Sequence, residues 1–149
     1  MKRDIIDNFI VFEGIDGSGT TTQLKRLGGF LTEAGVSVRL DCEPTRGPIG
    51  TLIRKSLNDP ETRFEPETLS RLFAADRHEH MYGKDGVVST SRNRTLVISY
   101  RYLFSSLSYQ GITFGSTLPA AQIAAFHLPE YLVFFDAKAG ITMKRLESR

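Results

Sequence analysis

The sequence predicts an α/β fold: a parallel sheet with helices on both faces. Two observations carry this. Short, continuously apolar runs recur along the chain, and stretches with apolar side chains at helical spacing separate them. Continuous apolar runs suit strands covered on both sides, and strands alternating with helices pair in parallel through right-handed crossovers.

The first run, Phe9–Glu13 (FIVFE), is a strand that ends in a glycine-rich turn. Leu24, Leu27, Leu31 and Ala34 then recur at helical spacing, with Gly35 as the stop. Gly28 and Gly29 each weaken that helix by roughly 1 kcal/mol against alanine, so close packing is their expected reason. Val36–Leu40 reads as a second strand that runs into the turn-rich EPTRGPIG. Ile49–Leu57 and Pro66–Met81 read as helices, the second with Leu69, Leu72 and Phe73 on one face and Pro66 near its start. The polar stretch Tyr82–Arg94 reads as a loop. Leu96–Ser99 is a third strand, Leu103–Tyr109 and Ala120–Phe126 are helical, Tyr131–Phe135 is a fourth strand, and Ala139–Leu146 opens a last helix.

Composition narrows the class. The chain has 149 residues, 40% of them hydrophobic and 24% charged, which suits a folded domain and argues against disorder. A net charge of +2 gives no ground for nucleic acid or a membrane surface as partner. The lone Cys42 excludes an internal disulfide and a cysteine-based metal cluster. No apolar run approaches a membrane span, and MKRDIIDNF lacks the core of a secretory signal, so a cytoplasmic location is expected.

Chemistry enters at GIDGSGTTT, residues 14–22. Gly14 and Gly19 have the spacing of a phosphate-binding loop, in which backbone N–H groups and a helix N-terminus surround phosphate oxygens. Thr21 sits where a hydroxyl would bind Mg²⁺, but Thr20 stands where that motif has lysine. On its own the stretch also fits an ordinary strand–helix turn; the buried strand before it and the amphipathic helix after it favour the phosphate loop. Lys25 is no substitute for the lysine, because five residues carry it about 7.5 Å along the helix and round to another face.

Taken together, FEGIDGSGTTTQ, EPTRGPIGTLIR, LFAADRHEH, YRYLFSSLSYQG and LPEYLVFFDA, in that order, resemble the bacterial thymidylate kinases, from about Phe9 to the last residue. The resemblance implies a P-loop kinase sheet in the order 2-3-1-4. It implies an enzyme that moves the γ-phosphoryl of ATP to thymidine monophosphate with Mg²⁺, working as a homodimer. Gly14, Asp16, Gly17, Ser18, Gly19, Thr20, Thr21 and Thr22 would hold ATP, with Thr21 on the metal. Asp16 would bond the 3′-hydroxyl of the sugar, and Arg101 would clamp the acceptor phosphate; these two are the implied catalytic residues. Phe73 would stack on thymine, Arg77 would meet the base edge, and Arg54 would line the base pocket. Ser106 and Gln110 would bond thymine, Tyr109 would exclude a 2′-hydroxyl, and Glu43 and Pro44 would shape the neighbouring loop. By pattern alone Phe73 fits plain core, Arg77 and His78 a solvated helix face, and Ser106, Tyr109 and Gln110 a polar helix surface. His80, His127 and Cys42 have no ligand spacing and receive no role.

The sequence departs from the family pattern at Thr20, at Tyr100 in place of an aspartate, and at Phe104 in place of an acid. The family also continues past this end with an arginine-bearing lid, a fifth strand and a closing helix. Residues 1–149 are therefore expected to form a single core domain without the lid or the fifth strand. Two readings follow: a portion of a working kinase, or a catalytically weak nucleotide-binding relative.

Overall fold

A computed structural model describes residues 4–114 and 124–148, apart from the side chains of Gln110, Thr113 and Phe114. Four strands form one parallel sheet: β1 (Ile5–Gly14), β2 (Val38–Cys42), β3 (Leu96–Tyr100) and β4 (Leu128–Phe135). Their order is β2-β3-β1-β4, as the resemblance implies. The helices are α1 (Thr20–Glu33), α2 (Pro48–Asn58), α3 (Pro66–Tyr82), α4 (Val87–Arg92), α5 (Leu103–Phe114) and α6 (Ala139–Glu147). A single 3₁₀ turn, Pro60–Thr62, joins α2 to α3.

The alternation of β1 builds two cores. Phe9 and Val11 point to one face, where Met81 of α3, Val87 of α4, and Tyr102 and Leu103 at the start of α5 cover them. Phe12 points to the other face, against Leu24 of α1 and Ile98 of β3, with the Phe135 ring 5.0 Å from its own. Proline opens both α2 and α3, where its fixed φ suits the first turn and no N–H is lost.

The structure corrects several expectations. β1 begins four residues earlier than its apolar run, because Ile5 and Ile6 pair with Leu128 and Pro129 of β4; Asn8 then adopts a left-handed φ of 58° and gives its N–H to Glu130 Oε2 at 2.7 Å. Pairing with β4 then resumes across an irregularity between Ile6 and Ile10. The expected loop over residues 82–94 contains α4, a helix too short and polar to show periodicity. The expected helix over Ala120–Phe126 lies largely outside the described residues, and its described end, 124–126, is a turn. Tyr131, Leu132, Val133 and Phe134 of β4, expected to be covered on both sides, are exposed at the sheet edge. On α3 the fully buried positions are Ser70, Asp76, Arg77 and Met81, while Leu69, Leu72 and Phe73 are only half-buried.

Two glycines show what holds the sheet to its helices. A Cβ on Gly28 would lie 2.9 Å from the Leu40 methyls, so close packing explains Gly28; Gly29 has open space and no packing reason. Gly17 adopts φ +80°, and a Cβ there would lie 2.7 Å from the Thr142 carbonyl of α6. The turn after β1 is thus pressed against the last helix. Gly17→Ala is expected to cost about 1–2 kcal/mol from the left-handed backbone alone, and more as α6 shifts; urea denaturation checks this.

Candidate active site

The C-terminal ends of β1, β2 and β3 open on a cavity of about 510 Å³, the end at which open parallel sheets bind ligands. Helices α2, α3 and α5 form its walls. Every residue expected around the acceptor except Gln110 lines it: Asp16, Glu43, Pro44, Arg54, Phe73, Arg77, Arg101, Ser106 and Tyr109. Gln110 lies on α5, and its side chain is outside the described residues.

At the floor sits a buried ion pair. Arg77 Nε donates to Glu43 Oε2 at 2.8 Å, with both side chains under 5% exposed. The other end of the guanidinium donates from Nη2 to the Tyr102 carbonyl at 3.2 Å and to Ser106 Oγ at 2.7 Å. One side chain therefore ties the end of β2 to α3 and α5. Asp76, beside it on α3, accepts from the Thr45 N–H at 2.7 Å and from Thr45 Oγ1 at 2.6 Å, pinning the loop after β2. Arg54 reaches the same loop from α2 and donates to the Pro44 carbonyl.

His80, which sequence reasoning passed over, completes this cluster. Its Nδ1 lies 2.9 Å from Glu43 Oε1 and its Nε2 lies 2.9 Å from Asp41 Oδ2. Burial pulls the imidazole pKa down, but hydrogen bonds to Asp41 and Glu43, and their charges, raise it to about 9. Burial likewise pushes the Asp41 carboxyl up, yet the bond and charge of His80, with Arg39, hold it below its ordinary range.

Arg101 stands at the rim. Its backbone has a left-handed φ of 67°, and its N–H donates to the Phe12 carbonyl at 2.9 Å. Its Nε donates to the Tyr100 hydroxyl at 2.9 Å and its Nη2 to Asp16 Oδ1, while the Tyr100 and Tyr109 rings lie 5.3 and 5.2 Å from the guanidinium carbon. Burial lowers the guanidinium pKa, but the hydrogen bond to the Tyr100 hydroxyl and the charge of Asp16 outweigh it and hold it above its ordinary range. Tyr100 thus does for Arg101 what a hydrogen-bond acceptor can do, without contributing a carboxylate.

Glu13 is a second residue that sequence reasoning missed. Buried at the end of β1, it accepts from the N–H groups of Tyr102 and Ser105 at 2.9 and 3.2 Å, and from Ser105 Oγ at 2.6 Å. It satisfies amides at the start of α5 and so fixes the segment that follows Arg101. The signal was an acid at the end of an apolar strand.

The phosphate loop faces a neighbouring cavity of about 420 Å³, lined by Gly17, Ser18, Gly19, Thr22, Gln23 and Arg145 among others. Gly14, Thr20 and Thr21 do not line it: Thr20 is buried and Thr21 exposed at the start of α1, while Asp16 faces the other cavity. Ser18 Oγ, tucked beside Gly14, is the buried side-chain polar atom left without a partner among the described residues. Arg145 of α6 donates from Nη1 to the Gly17 carbonyl at 3.0 Å, bringing a cation to a loop that lacks its lysine. Nothing in the spacing of the sequence could place it there.

A phosphate loop closing the first strand of a parallel sheet, with an arginine-bearing acceptor cavity at the same sheet end, defines a nucleotide kinase of the P-loop class. Comparison with known proteins narrows this. The sequence profile of the thymidylate kinase family matches residues 12–149. A Treponema pallidum protein carrying the thymidylate kinase name is 40% identical over 98% of this chain and 69% of its own. The thymidylate kinase of Caldicellulosiruptor saccharolyticus is 41% identical over 72% of this chain and 51% of its own. The crystal structure of thymidylate kinase from Ehrlichia chaffeensis superposes with a TM-score of 0.75 at 26% identity, covering 94% of this chain and 78% of that one. The chain belongs to the thymidylate kinase family.

The His80 cluster makes stability depend on pH. The imidazole stays protonated to about pH 9 in the folded protein, against 6.5 ordinarily. Its contribution is therefore complete below pH 6.5 and lost as pH rises through 9, on the order of 3 kcal/mol in all. Urea midpoints measured between pH 6 and 10 should fall across that window.

Proposed function

We propose that the chain transfers the γ-phosphoryl of ATP to thymidine monophosphate, giving ADP and thymidine diphosphate. The observation that carries this reading is the Asp16–Arg101 ion pair: it joins a phosphate-loop residue to a residue of the acceptor cavity at the boundary of the two sites. An acceptor phosphate oxygen attacks the γ-phosphorus while the bond to the β-phosphate oxygen breaks and ADP leaves. Such transfer needs positioning and charge neutralisation more than covalent help. Arg101, braced by two tyrosines and Asp16, supplies positive charge at the acceptor phosphate. Half-buried Phe73 offers a ring face for the base, and Arg77 and Ser106 lie at its edge. The donor phosphates would meet the amides of Gly17 and Gly19, the free Ser18 hydroxyl and Arg145.

Mg²⁺ takes few protein ligands besides substrate phosphates and water. The exposed Thr21 hydroxyl and the Asp16 oxygen not paired with Arg101 fit that modest demand. Among the described residues no group of three or more His, Cys, Asp or Glu could hold a metal alone. When bound, Mg²⁺ would neutralise charge on the donor phosphates. Family membership favours the kinase over an inactive relative despite Thr20, Tyr100 and Phe104, and Arg145 offers a replacement for the missing cation. Among the described residues no helix is long and apolar enough to cross a membrane. A cytoplasmic homodimer is part of the same proposal, and light scattering at micromolar concentration tests the dimer.

A coupled ADP-release assay with dTMP, UMP, CMP or no acceptor tests the reaction. Turnover that depends on dTMP supports it; preference for another acceptor, or none, overturns it. Phe73→Ala should weaken dTMP binding by about 1–3 kcal/mol, the range for base–aromatic stacking, and leave ATP unchanged by calorimetry. Arg145→Ala should do the reverse, weakening ATP by about 1.5–3 kcal/mol, the range for bonds to charged groups.

A further inference from the structure

We propose that His80 is a positioning residue for the acceptor: held between Asp41 and Glu43, it fixes the Glu43 carboxylate and, through it, the Arg77 guanidinium in the acceptor cavity. This rests on reading that cavity as the thymidine monophosphate site. His80 itself does not line the cavity and its side chain is 6% exposed, so it acts only through its neighbours.

The periodicities of one strand and one helix assemble the device. Asp41 and Glu43 are two residues apart at the end of β2 and so share a face, while Arg77 and His80 are three apart on α3 and stand one above the other. The result is a row of alternating charge, buried from Arg77 to His80 and part-exposed at Asp41 and Arg39. Arg39 pairs with Asp41 at 2.6 Å, Asp41 with His80 at 2.9 Å, His80 with Glu43 at 2.9 Å, and Glu43 with Arg77 at 2.8 Å. Arg39 is held from the side of α4 by the Asp85 carbonyl and the Thr90 hydroxyl, both at 2.6 Å. These are the charged groups the structure places in this row around His80.

A carboxylate only accepts hydrogen bonds. Both ring nitrogens face carboxylate oxygens, so both must carry hydrogen, and the imidazolium is the form that fits. A neutral ring would set one nitrogen lone pair against a carboxylate oxygen and remove the cation that lies between Asp41 and Glu43. Glu43 uses Oε2 for Arg77 and Oε1 for His80. With Oε1 released, the carboxylate keeps in this row its single bond to Arg77 and can turn about it, so Arg77 loses a partner of fixed orientation. The raised His80 pKa agrees with this geometry.

His80→Gln and wild type are compared in the coupled assay from pH 6.5 to 10. At pH 7 the variant should show a KM for dTMP raised about tenfold, with kcat and the KM for ATP within about twofold. Wild-type KM for dTMP should climb as pH passes 9, and that climb should vanish in the variant. Any step common to both belongs to the thymine ring. A folded variant with an unchanged KM for dTMP, or the same pH profile in both proteins, overturns the proposal. Absence of dTMP-dependent turnover in wild type would instead sink the functional reading. NMR of the free protein separates the two failures and needs no folded variant. His80 resonances typical of imidazolium beyond pH 8, with a slowly exchanging Arg77 Nε–H that is lost as His80 deprotonates, support the proposal. A His80 titration near 6.5, or an Arg77 signal indifferent to it, overturns it.

Discussion

The acceptor end of this molecule is organised by the need to neutralise one buried guanidinium. Taking Arg77 out of water costs several kcal/mol unless its hydrogens find acceptors and its charge a partner. Glu43 answers the charge and takes the Nε hydrogen, and the Tyr102 carbonyl and Ser106 hydroxyl take the hydrogens of Nη2. These three acceptors come from the end of β2, the segment after β3, and α5. Meeting the demands of one side chain therefore fixes three walls of the cavity relative to α3. A hydrophobic contact would hold those walls together without specifying their orientation; directional bonds to a planar fork specify both.

That solution explains why α3 defeats the usual helix pattern. Its buried face carries Ser70, Asp76 and Arg77 beside Met81, and its leucines sit half out. Reading apolar residues as the inside and charged ones as the outside inverts the helix. The polar residues face inward because their partners wait there: Thr45 for Asp76, Glu43 for Arg77 and both carboxylates for His80. Phe73 can stay half-exposed because it faces the cavity rather than the core.

The same logic divides what the sequence made legible from what it did not. Strands β1 to β4 and most of the helices were readable, since burial between helices leaves apolar runs and spacing that local inspection detects. Strand order and acceptor residues came from resemblance, through motifs whose order the fold brings to one sheet end. Glu13, His80 and Arg145 were not readable because their partners are remote in sequence: Ser105, Glu43 and Gly17. No local rule pairs residues that far apart. The exposure of β4 was illegible for a related reason: an apolar run looks the same whether or not something covers it.

The two halves of the site also differ in how they are made. On the acceptor side the buried polar groups satisfy one another before any ligand arrives, so the cavity is preorganised, and binding there spends little on rearrangement. The donor side is left open. Its serine hydroxyl lacks a partner, Thr21 and Thr22 face solvent, and its cation comes from α6 rather than from the loop. Gly17 is pressed against Thr142 while its carbonyl accepts from Arg145, so the loop and α6 are held together. A cation carried by the loop lysine would follow the loop alone; on the proposed reading, a cation carried by α6 makes donor recognition depend on how that helix seats against the loop. With threonine at position 20, that reading moves control from one turn of backbone to the seating of α6 on the phosphate loop.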